Sequence, residues 1–202
     1  VRKVLKEFRI IVIRKVVLLF LVSLILAACA SVPYYSFDYP LTTEVIISSD
    51  KTIQSRVPLG WFASKDTSLT PQFLFWLIKD DYSSSIALQE IKVDRFTEQR
   101  IKKEGLKLFA EISQSFKKES VEKFSLTKPI EIFTINSKNY CGYEYYSNDR
   151  SGRVRVILLQ IGNRYFEVEA TPLSGVWYEK DLKGLYNALH AFANALQTQI
   201  SS

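Results

Sequence analysis

The stretch that decides the fold is Arg153-Val154-Arg155-Val156-Ile157-Leu158-Leu159-Gln160-Ile161-Gly162-Asn163-Arg164-Tyr165-Phe166-Glu167-Val168-Glu169-Ala170-Thr171. Two runs rich in β-branched and aromatic residues flank a Gly-Asn pair, which is typical of a tight hairpin turn with positive φ. In the second run Tyr165, Glu167 and Glu169 alternate with Phe166, Val168 and Ala170, as the two faces of a strand do. The stretch therefore predicts an antiparallel β-hairpin.

Strands on either side extend this hairpin. Asn139–Ser147 alternates in the same way, the turn Ser147–Gly152 joins it to the hairpin, and Pro129–Ile135 precedes it. Nearer the amino terminus we predict a hairpin over 44–58 with its turn at Ser48–Lys51, a corner at Pro58–Trp61, and strands over 72–79 and 84–93. In the last of these the apolar positions change phase at Glu90, which predicts a β-bulge.

Two segments have helical periodicity instead. Between Asp94 and Lys118 the apolar residues fall on one stripe, which contains Ile101, Leu108, Phe109, Ile112 and Phe116, with Gly105 inside it. Glu179–Gln199 has a nearly continuous apolar stripe and predicts a terminal helix. The fold class is therefore α+β: an antiparallel β-sheet with a long helix inserted mid-chain and a C-terminal helix packed on it.

This order of elements resembles a known fold. Val57-Pro58-Leu59-Gly60-Trp61, a long helix before a glycine-containing meander, Gly162-Asn163-Arg164-Tyr165-Phe166 and a final amphipathic helix are together similar to the PsbP-like α/β/α sandwich, which includes DcrB-type bacterial lipoproteins. The resemblance spans about 44–200 and implies an accessory or assembly role. It implies no active site, because the fold carries none that its members share.

The first residues have the pattern of an export signal. Basic and aliphatic residues precede an uncharged run of 13 residues, Val16–Ala28, which is shorter than the roughly 20 that a membrane-spanning helix needs. Leu26-Ala27-Ala28-Cys29 resembles the lipobox of bacterial lipoproteins. The alternative is an ordinary signal peptide, or a short anchor, that happens to end in cysteine.

The lipobox resemblance implies a domain organisation and a location. Residues 1–28 would be a signal peptide, 29–43 a lipidated cysteine and tether, and 44–202 a single α+β domain. Diacylglyceryl on the Cys29 sulfur and a fatty acyl group such as palmitate on the new amino terminus would hold the protein on a membrane of the cell envelope, since two or more chains give stable attachment. Ala30 replaces the aspartate that commonly retains lipoproteins in the inner membrane, which favours the outer membrane, facing the periplasm, in a Gram-negative cell.

Charge and aromatic content limit the partners of this domain. Residues 1–28 carry +5 of the formal net charge of +6, so the remainder is nearly neutral and we expect no nucleic-acid binding. The predicted tether holds Tyr34, Tyr35, Phe37 and Tyr39, which would contact a membrane or partner or, as we favour, pack back onto the domain.

No arrangement of residues indicates catalysis or metal binding. Cys141 and His190 are the only candidates for a thiol nucleophile and its base, and we favour a buried structural cysteine and a helix-flank histidine. Glu167 and Glu169 are interpreted as a solvent-facing pair bound by Arg153 and Arg155 across the hairpin. The pairs Lys102–Lys103 and Lys117–Lys118 are interpreted as a solvated helix face. We expect no catalytic residues, no metal and no cofactor.

Trp177 and Tyr178 form a candidate binding loop before the last helix; the alternative is an apolar entry to that helix. The leading hypothesis is a membrane-anchored envelope lipoprotein, not an enzyme, of accessory, assembly or protein-binding type. The second is a binding module for a small apolar or lipid ligand held between sheet and helix, because the chain is rich in aromatic residues. An enzyme that uses Cys141 or the paired carboxylates is the third.

Overall fold

A seven-stranded antiparallel sheet forms the middle of the structure. The computed structural model describes residues 34–64, 71–148, 152–173 and 177–199. Within these ranges the strands are β1 (Leu41–Ile47), β2 (Ile53–Pro58), β3 (Trp61–Ala63), β4 (Phe73–Lys79), β5 (Ser84–Ile91), β6 (Ser125–Ile135), β7 (Lys138–Ser147), β8 (Gly152–Ile161), β9 (Arg164–Pro172) and β10 (Gln197–Thr198), and the helices are α1 (Arg95–Glu104), α2 (Leu106–Ser120) and α3 (Glu179–Ala195). The large sheet has the order β3-β4-β5-β9-β8-β7-β6, and β1, β2 and β10 form a small second sheet.

The pairing of β5 with β9 joins the two halves of the large sheet. Its antiparallel register runs without interruption from Ser84 opposite Pro172 to Ile91 opposite Tyr165. The bulge predicted at Glu90 is therefore wrong. The irregularity lies on the neighbouring strand β4, where the register shifts between Phe73 and Phe75.

The two faces of the sheet are covered by different helices. Phe166, Val168 and Ala170 of β9 pack in one core with α3 and the small sheet. Tyr165 of the same strand packs in the other core with residues of α1 and α2, such as Phe109. The predicted α+β class and the helices packed on an antiparallel sheet are confirmed, and the central strands β7, β8 and β9 are buried on both sides.

The single mid-chain helix predicted over 94–118 is divided in two. Gly105 has φ 84° and ψ −178°, ends α1 with a bond from its amide to the Ile101 carbonyl, and starts α2. Apolar periodicity continues on both sides of the break, which is why the sequence pattern did not reveal it. Phe116, predicted on the buried stripe, is 66% exposed.

The last helix is shorter than its apolar pattern predicted. It ends at Ala195, and Gln197–Thr198 pairs with β2 as the edge of the small sheet. The prediction of helix as far as Gln199 is therefore wrong. Leu196 nevertheless remains buried in the same core, so burial alone did not reveal the change from helix to strand.

Two glycines make a matched test of the helix break. At Gly105 and Gly184 an added Cβ would meet no atom within 4 Å, but only Gly105 has positive φ. We expect Gly105→Ala to lower the free energy of unfolding by about 1–3 kcal/mol, because this φ/ψ region is nearly exclusive to glycine. Gly184→Ala, inside α3, should raise it by about 0.5–1 kcal/mol. Urea unfolding measures both; equal tolerance would mean that residues 94–118 can form one helix.

Candidate functional site

The structure separates the two residues that could have formed a thiol nucleophile and its base. Cys141 is buried in the core beneath α1 and α2. His190 lies in α3 on the other face of the sheet, stacked on Phe133 with a ring-centroid distance of 5.0 Å. Burial, with Glu111 and Glu131 nearby, raises the pKa of Cys141 to about 12. This thiol therefore stays protonated and has no imidazole beside it.

The paired carboxylates of β9 are not on a solvent-facing surface. Glu167 and Glu169 are 2% and 8% exposed, and both bind Lys117 of α2. The predicted pairing with Arg155 is wrong because Arg155 lies opposite Ala170 in the register and so points to the other face. Arg153 binds Glu179 instead. The predicted solvated face is also wrong at Lys117, because α2 packs on the side of the sheet where Glu167 and Glu169 lie.

Ser113, Lys117, Tyr143, Glu167 and Glu169 make a buried group of charged and hydroxyl side chains, here called the Lys117 cluster. The Lys117 ammonium lies 2.9 Å from Glu167 Oε1 and 2.6 Å from Glu169 Oε2. Ser113 donates to Glu167 Oε2 at 2.5 Å. Burial works against the charge of Lys117, but Glu169 and Glu167 outweigh it and raise the pKa of Lys117. The cluster thus holds α2 on the sheet with a protonated lysine, which is unsuited to act as a base.

A second group, the Arg155 cluster, lies on the α3 face and consists of the buried residues Tyr35, Glu144, Arg155 and His190 and the partly exposed Lys128 and Glu131. The Tyr35 hydroxyl donates to Glu144 Oε1 at 2.5 Å and accepts from Lys128 at 2.6 Å. Arg155 NH1 lies 3.5 Å from the same Glu144 oxygen. Room for the guanidinium depends on Gly142, where an added Cβ would lie 2.7 Å from Arg155 NH2.

The Arg155 cluster fastens the start of the described chain to the core. Tyr35 is 2% exposed, so it packs back onto the domain as predicted, whereas Tyr34 and Phe37 are 59% and 39% exposed. Lys128 covers the Tyr34 ring at 3.4 Å from its centroid. The fully buried Arg155 and Glu144 form ion pairs with each other and with the partly exposed Glu131 and Lys128, so this cluster positions a segment of chain.

An open pocket lies at one end of the large sheet, and we call it the end pocket. Its volume is about 490 Å³, and its aromatic walls are Tyr39, Trp61 and Trp177. Hydrogen bonds bring the surrounding loops together: the Tyr39 hydroxyl donates to the Leu59 carbonyl, and the Leu173 amide donates to the Ser83 carbonyl. This volume is within the range of small-molecule sites.

The end pocket is apolar on its walls and charged on its rim. The rim carries Lys79, Asp81, Lys180 and Asp181. Lys79 and Asp81 form an ion pair of 2.8 Å, and hydrogen bonds from Lys79 and Ser83 lower the pKa of Asp81 to about 2. The two lysines and two aspartates balance, so the rim favours an uncharged ligand or one that carries both signs.

The predicted binding loop contributes to this pocket in part. Trp177 is partly buried against the α3-side core and forms a pocket wall, whereas Tyr178, 71% exposed, is the N-cap residue of α3. Sequence reasoning missed Tyr39, Trp61 and Gly184, which come from three distant segments. The signal for Trp61 was its place after the Pro-Leu-Gly corner, and nothing in the sequence linked it to Trp177.

Two other findings concern membranes and metals. Among the described ranges, no helix combines the length and apolar character needed to cross a bilayer. Within the same ranges, no group of three or more histidine, cysteine, aspartate or glutamate side chains could hold a metal ion. The signal peptide, the lipobox and Cys29 lie outside the described residues, so lipidation stays a prediction.

No family model matches the chain, and a search of curated proteins found no match. Solved structures similar to it include cyanobacterial PsbP from Synechocystis sp. PCC 6803, with 10% identity, a TM-score of 0.48 and coverage of 85% of this chain and 98% of that one. LpqN, involved in cell envelope biogenesis of Mycobacterium tuberculosis, has 12% identity, a TM-score of 0.47 and coverage of 84% and 100%. A variant of Mog1 has 10% identity, a TM-score of 0.46 and coverage of 78% and 96%. These values define no family for the chain.

Removal of Lys117 tests the Lys117 cluster. We expect Lys117→Met to lower the free energy of unfolding at pH 7 by about 3–5 kcal/mol, because it leaves two buried carboxylates without their ammonium partner. Lys118→Met, on the exposed side of the same helix, should change it by less than about 0.5 kcal/mol. Urea unfolding compares the two variants, and an equal, small effect would mean that solvent reaches Glu167 and Glu169.

The single histidine gives a pH prediction. Burial, and secondarily Arg155, lower the pKa of His190 well below 6.5. At pH values between the folded and unfolded pKa of His190, only the unfolded chain binds the proton. The contribution of neutral His190 to the free energy of unfolding is therefore fully present above about pH 6.5 and falls by up to about 1.4 kcal/mol per pH unit below it. Urea unfolding between pH 7.5 and 5 should show this slope, and His190→Phe should remove it. A wild type with no slope would mean that His190 is charged in the folded protein.

Proposed function

We propose that this chain is a lipid-anchored, non-enzymatic accessory protein of the bacterial cell envelope, and that it holds a partner protein at the end pocket. The observation that carries the proposal is a set of exposed apolar side chains that neighbour the pocket residues in sequence: Leu59, Phe62, Tyr82, Leu173 and Tyr178. Exposed apolar patches with a polar rim are typical of interaction sites, and tyrosine is enriched among residues that dominate binding energy.

Tyr82 supports this proposal through its backbone. It is 67% exposed and has φ 58°, a conformation that is unfavourable for a bulky residue. Its turn is fixed by a bond from the Tyr82 amide to the Lys79 carbonyl, and its ring contacts Phe62 edge-on at 5.8 Å. An aromatic ring presented to solvent by a strained but well-bonded turn is already arranged for a partner.

The anchor belongs to the proposal through Leu26-Ala27-Ala28-Cys29. In a cell with two membranes, Ala30 favours attachment to the outer membrane with the domain in the periplasm. A small-ligand binding module is the second candidate, and the end pocket itself favours it. An enzyme has less support, because Cys141 and His190 lie on opposite faces and Glu167 and Glu169 are bound by Lys117.

The test is recovery of a partner from detergent-solubilised membranes with the intact lipoprotein as bait. The rim variant combines Tyr82→Asn and Tyr178→Ser. Both changes suit the fold, since asparagine tolerates positive φ and serine is favoured at an N-cap. Phe96→Ser is the matched control, because Phe96 is 69% exposed but lies in the first turn of α1, beyond the opposite end of β5. Cys29→Ser removes the anchor.

We expect a specific protein to be recovered with the wild type and Phe96→Ser, and about tenfold less with the rim variant, because truncation of two exposed tyrosines removes residues of a type that often dominates binding energy. Loss with Cys29→Ser would mean that the partner is met at a membrane. Equal recovery with the rim variant would move the docking surface elsewhere, and recovery of lipid without protein would favour the small-ligand module.

A further inference from the structure

The four aromatic side chains of the predicted tether separate into two pairs. Tyr35 is buried and Tyr39 is partly buried, and both pack in the core on the α3 face. Tyr34 contacts the Tyr35 ring edge-on at 4.9 Å but remains 59% exposed, and Phe37 is 39% exposed. Packing inside the domain therefore accounts for one pair of rings and leaves the other pair at the surface.

Hydrogen bonds fix the segment that carries the exposed rings. The Ser36 amide donates to Asn187 Oδ1 of α3 at 3.0 Å, and the Tyr39 hydroxyl donates to the Leu59 carbonyl at 3.1 Å. Together with the buried hydroxyl of Tyr35, these bonds hold residues 34–39 against the α3 side of the domain. The two exposed rings are thus presented by an ordered backbone.

The length of chain before Tyr34 determines what these rings can meet. With diacylglyceryl on the Cys29 sulfur, four residues lie between the anchor and Tyr34, and the five Cα–Cα steps span at most about 18 Å. The headgroup layer occupies roughly 5–8 Å of that span on its side of the bilayer. Since a domain of this size is about 30–40 Å across, the side that carries Tyr34 must face the bilayer.

The side chains on this side suit a membrane interface. Tyrosine rings are enriched where lipid headgroups meet water, because the ring is apolar and its hydroxyl is polar. The Lys128 ammonium lies 3.4 Å from the centroid of the Tyr34 ring. Lys183 is exposed on α3 one turn before Asn187, and residues four apart share a helix face. Lysines beside apolar surface keep their ammonium groups at the level of the headgroups.

We propose that Tyr34 and Phe37 form a membrane-contact site, with both rings in the headgroup region of the bilayer that holds the lipid anchor. This second contact fixes the domain in one orientation, with the α3 side toward the bilayer and the α2 side away from it. The exposed carboxylate of Asp38 offsets one lysine, so the contact depends on the rings more than on net charge. The proposal rests on the anchor of the proposed function.

The test uses the full lipoprotein in vesicles of phosphatidylethanolamine and phosphatidylglycerol that contain lipid with a nitroxide on its headgroup. A nitrobenzoxadiazole label is attached at Lys183→Cys, or at Phe116→Cys as the control, because Phe116 is 66% exposed on α2. Cys141 is buried and its pKa is raised to about 12, so it does not compete for the label. Each label is measured with the native segment and with Tyr34→Ser and Phe37→Ser combined.

We expect nitroxide quenching at Lys183→Cys to be at least about fivefold that at Phe116→Cys, because the domain, about 30–40 Å thick, separates the two positions. The two serine changes should bring this ratio close to one. Equal quenching with the native segment would overturn the proposal and assign the two rings to a protein partner. A high ratio that the serine changes leave intact would also overturn it, since another surface would then hold the orientation.

Flotation of the lipoprotein with the vesicles separates failure of the membrane contact from failure of the anchor. Protein that floats but shows equal quenching at the two positions has an anchor and no membrane-contact site. Protein that does not float has no anchor, and the anchor of the proposed function is then rejected together with the contact.

Discussion

The antiparallel pairing of β5 with β9 is the contact on which the other features depend. It joins strands from before and after the two mid-chain helices into one sheet, and thus provides one surface for α2 and another for α3. The same pairing places Ser84 beside the end of β9, where the loop to α3 begins. The end pocket exists because the start of β5 and the end of β9, which this contact brings together, converge with the corner between β2 and β3.

Charged groups are buried on both faces of the sheet. They determine where other segments of the chain dock more than they stabilise the fold. The Lys117 cluster fixes α2 against β9, and the Arg155 cluster fixes Tyr35 against β7 and β8. Buried ion pairs often add little net stability compared with apolar residues of similar size, because the ions lose their hydration. Here each cluster specifies where a separate segment docks, and Gly142 leaves the room that the guanidinium of Arg155 needs.

Local patterns were sufficient for most strands, and long-range contacts explain the failures. Gly162-Asn163 and the alternation of Tyr165 with Phe166 predicted β8, β9 and the side on which each residue lies, because a hairpin is decided by neighbours in sequence. Glu167 and Glu169 were assigned to solvent because alternating charges usually mark a wet face. Only the docking of α2, which no local pattern reveals, brings Lys117 over them.

The break at Gly105 and the walls of the end pocket were missed for related reasons. Apolar periodicity continues across Gly105, so the spacing of apolar residues does not reveal the backbone angles that divide the helix. Trp177 stood out in its loop, but Tyr39, Trp61 and Gly184 become neighbours only after the sheet has formed. A pocket formed by four separate segments depends on the chain topology, which local sequence patterns do not reveal.

The buried hydroxyl of Tyr35 also limits how far the domain can stand from its membrane. With the lipid on Cys29, as proposed, five residues separate the anchor from Tyr35, and the six Cα–Cα steps of an extended chain span at most about 20 Å. The domain is then held close to the bilayer surface by a short tether. A partner that reaches the end pocket is therefore itself near the membrane. If the partner is also membrane-bound, the two proteins meet by diffusion along the membrane plane and not through the bulk solution.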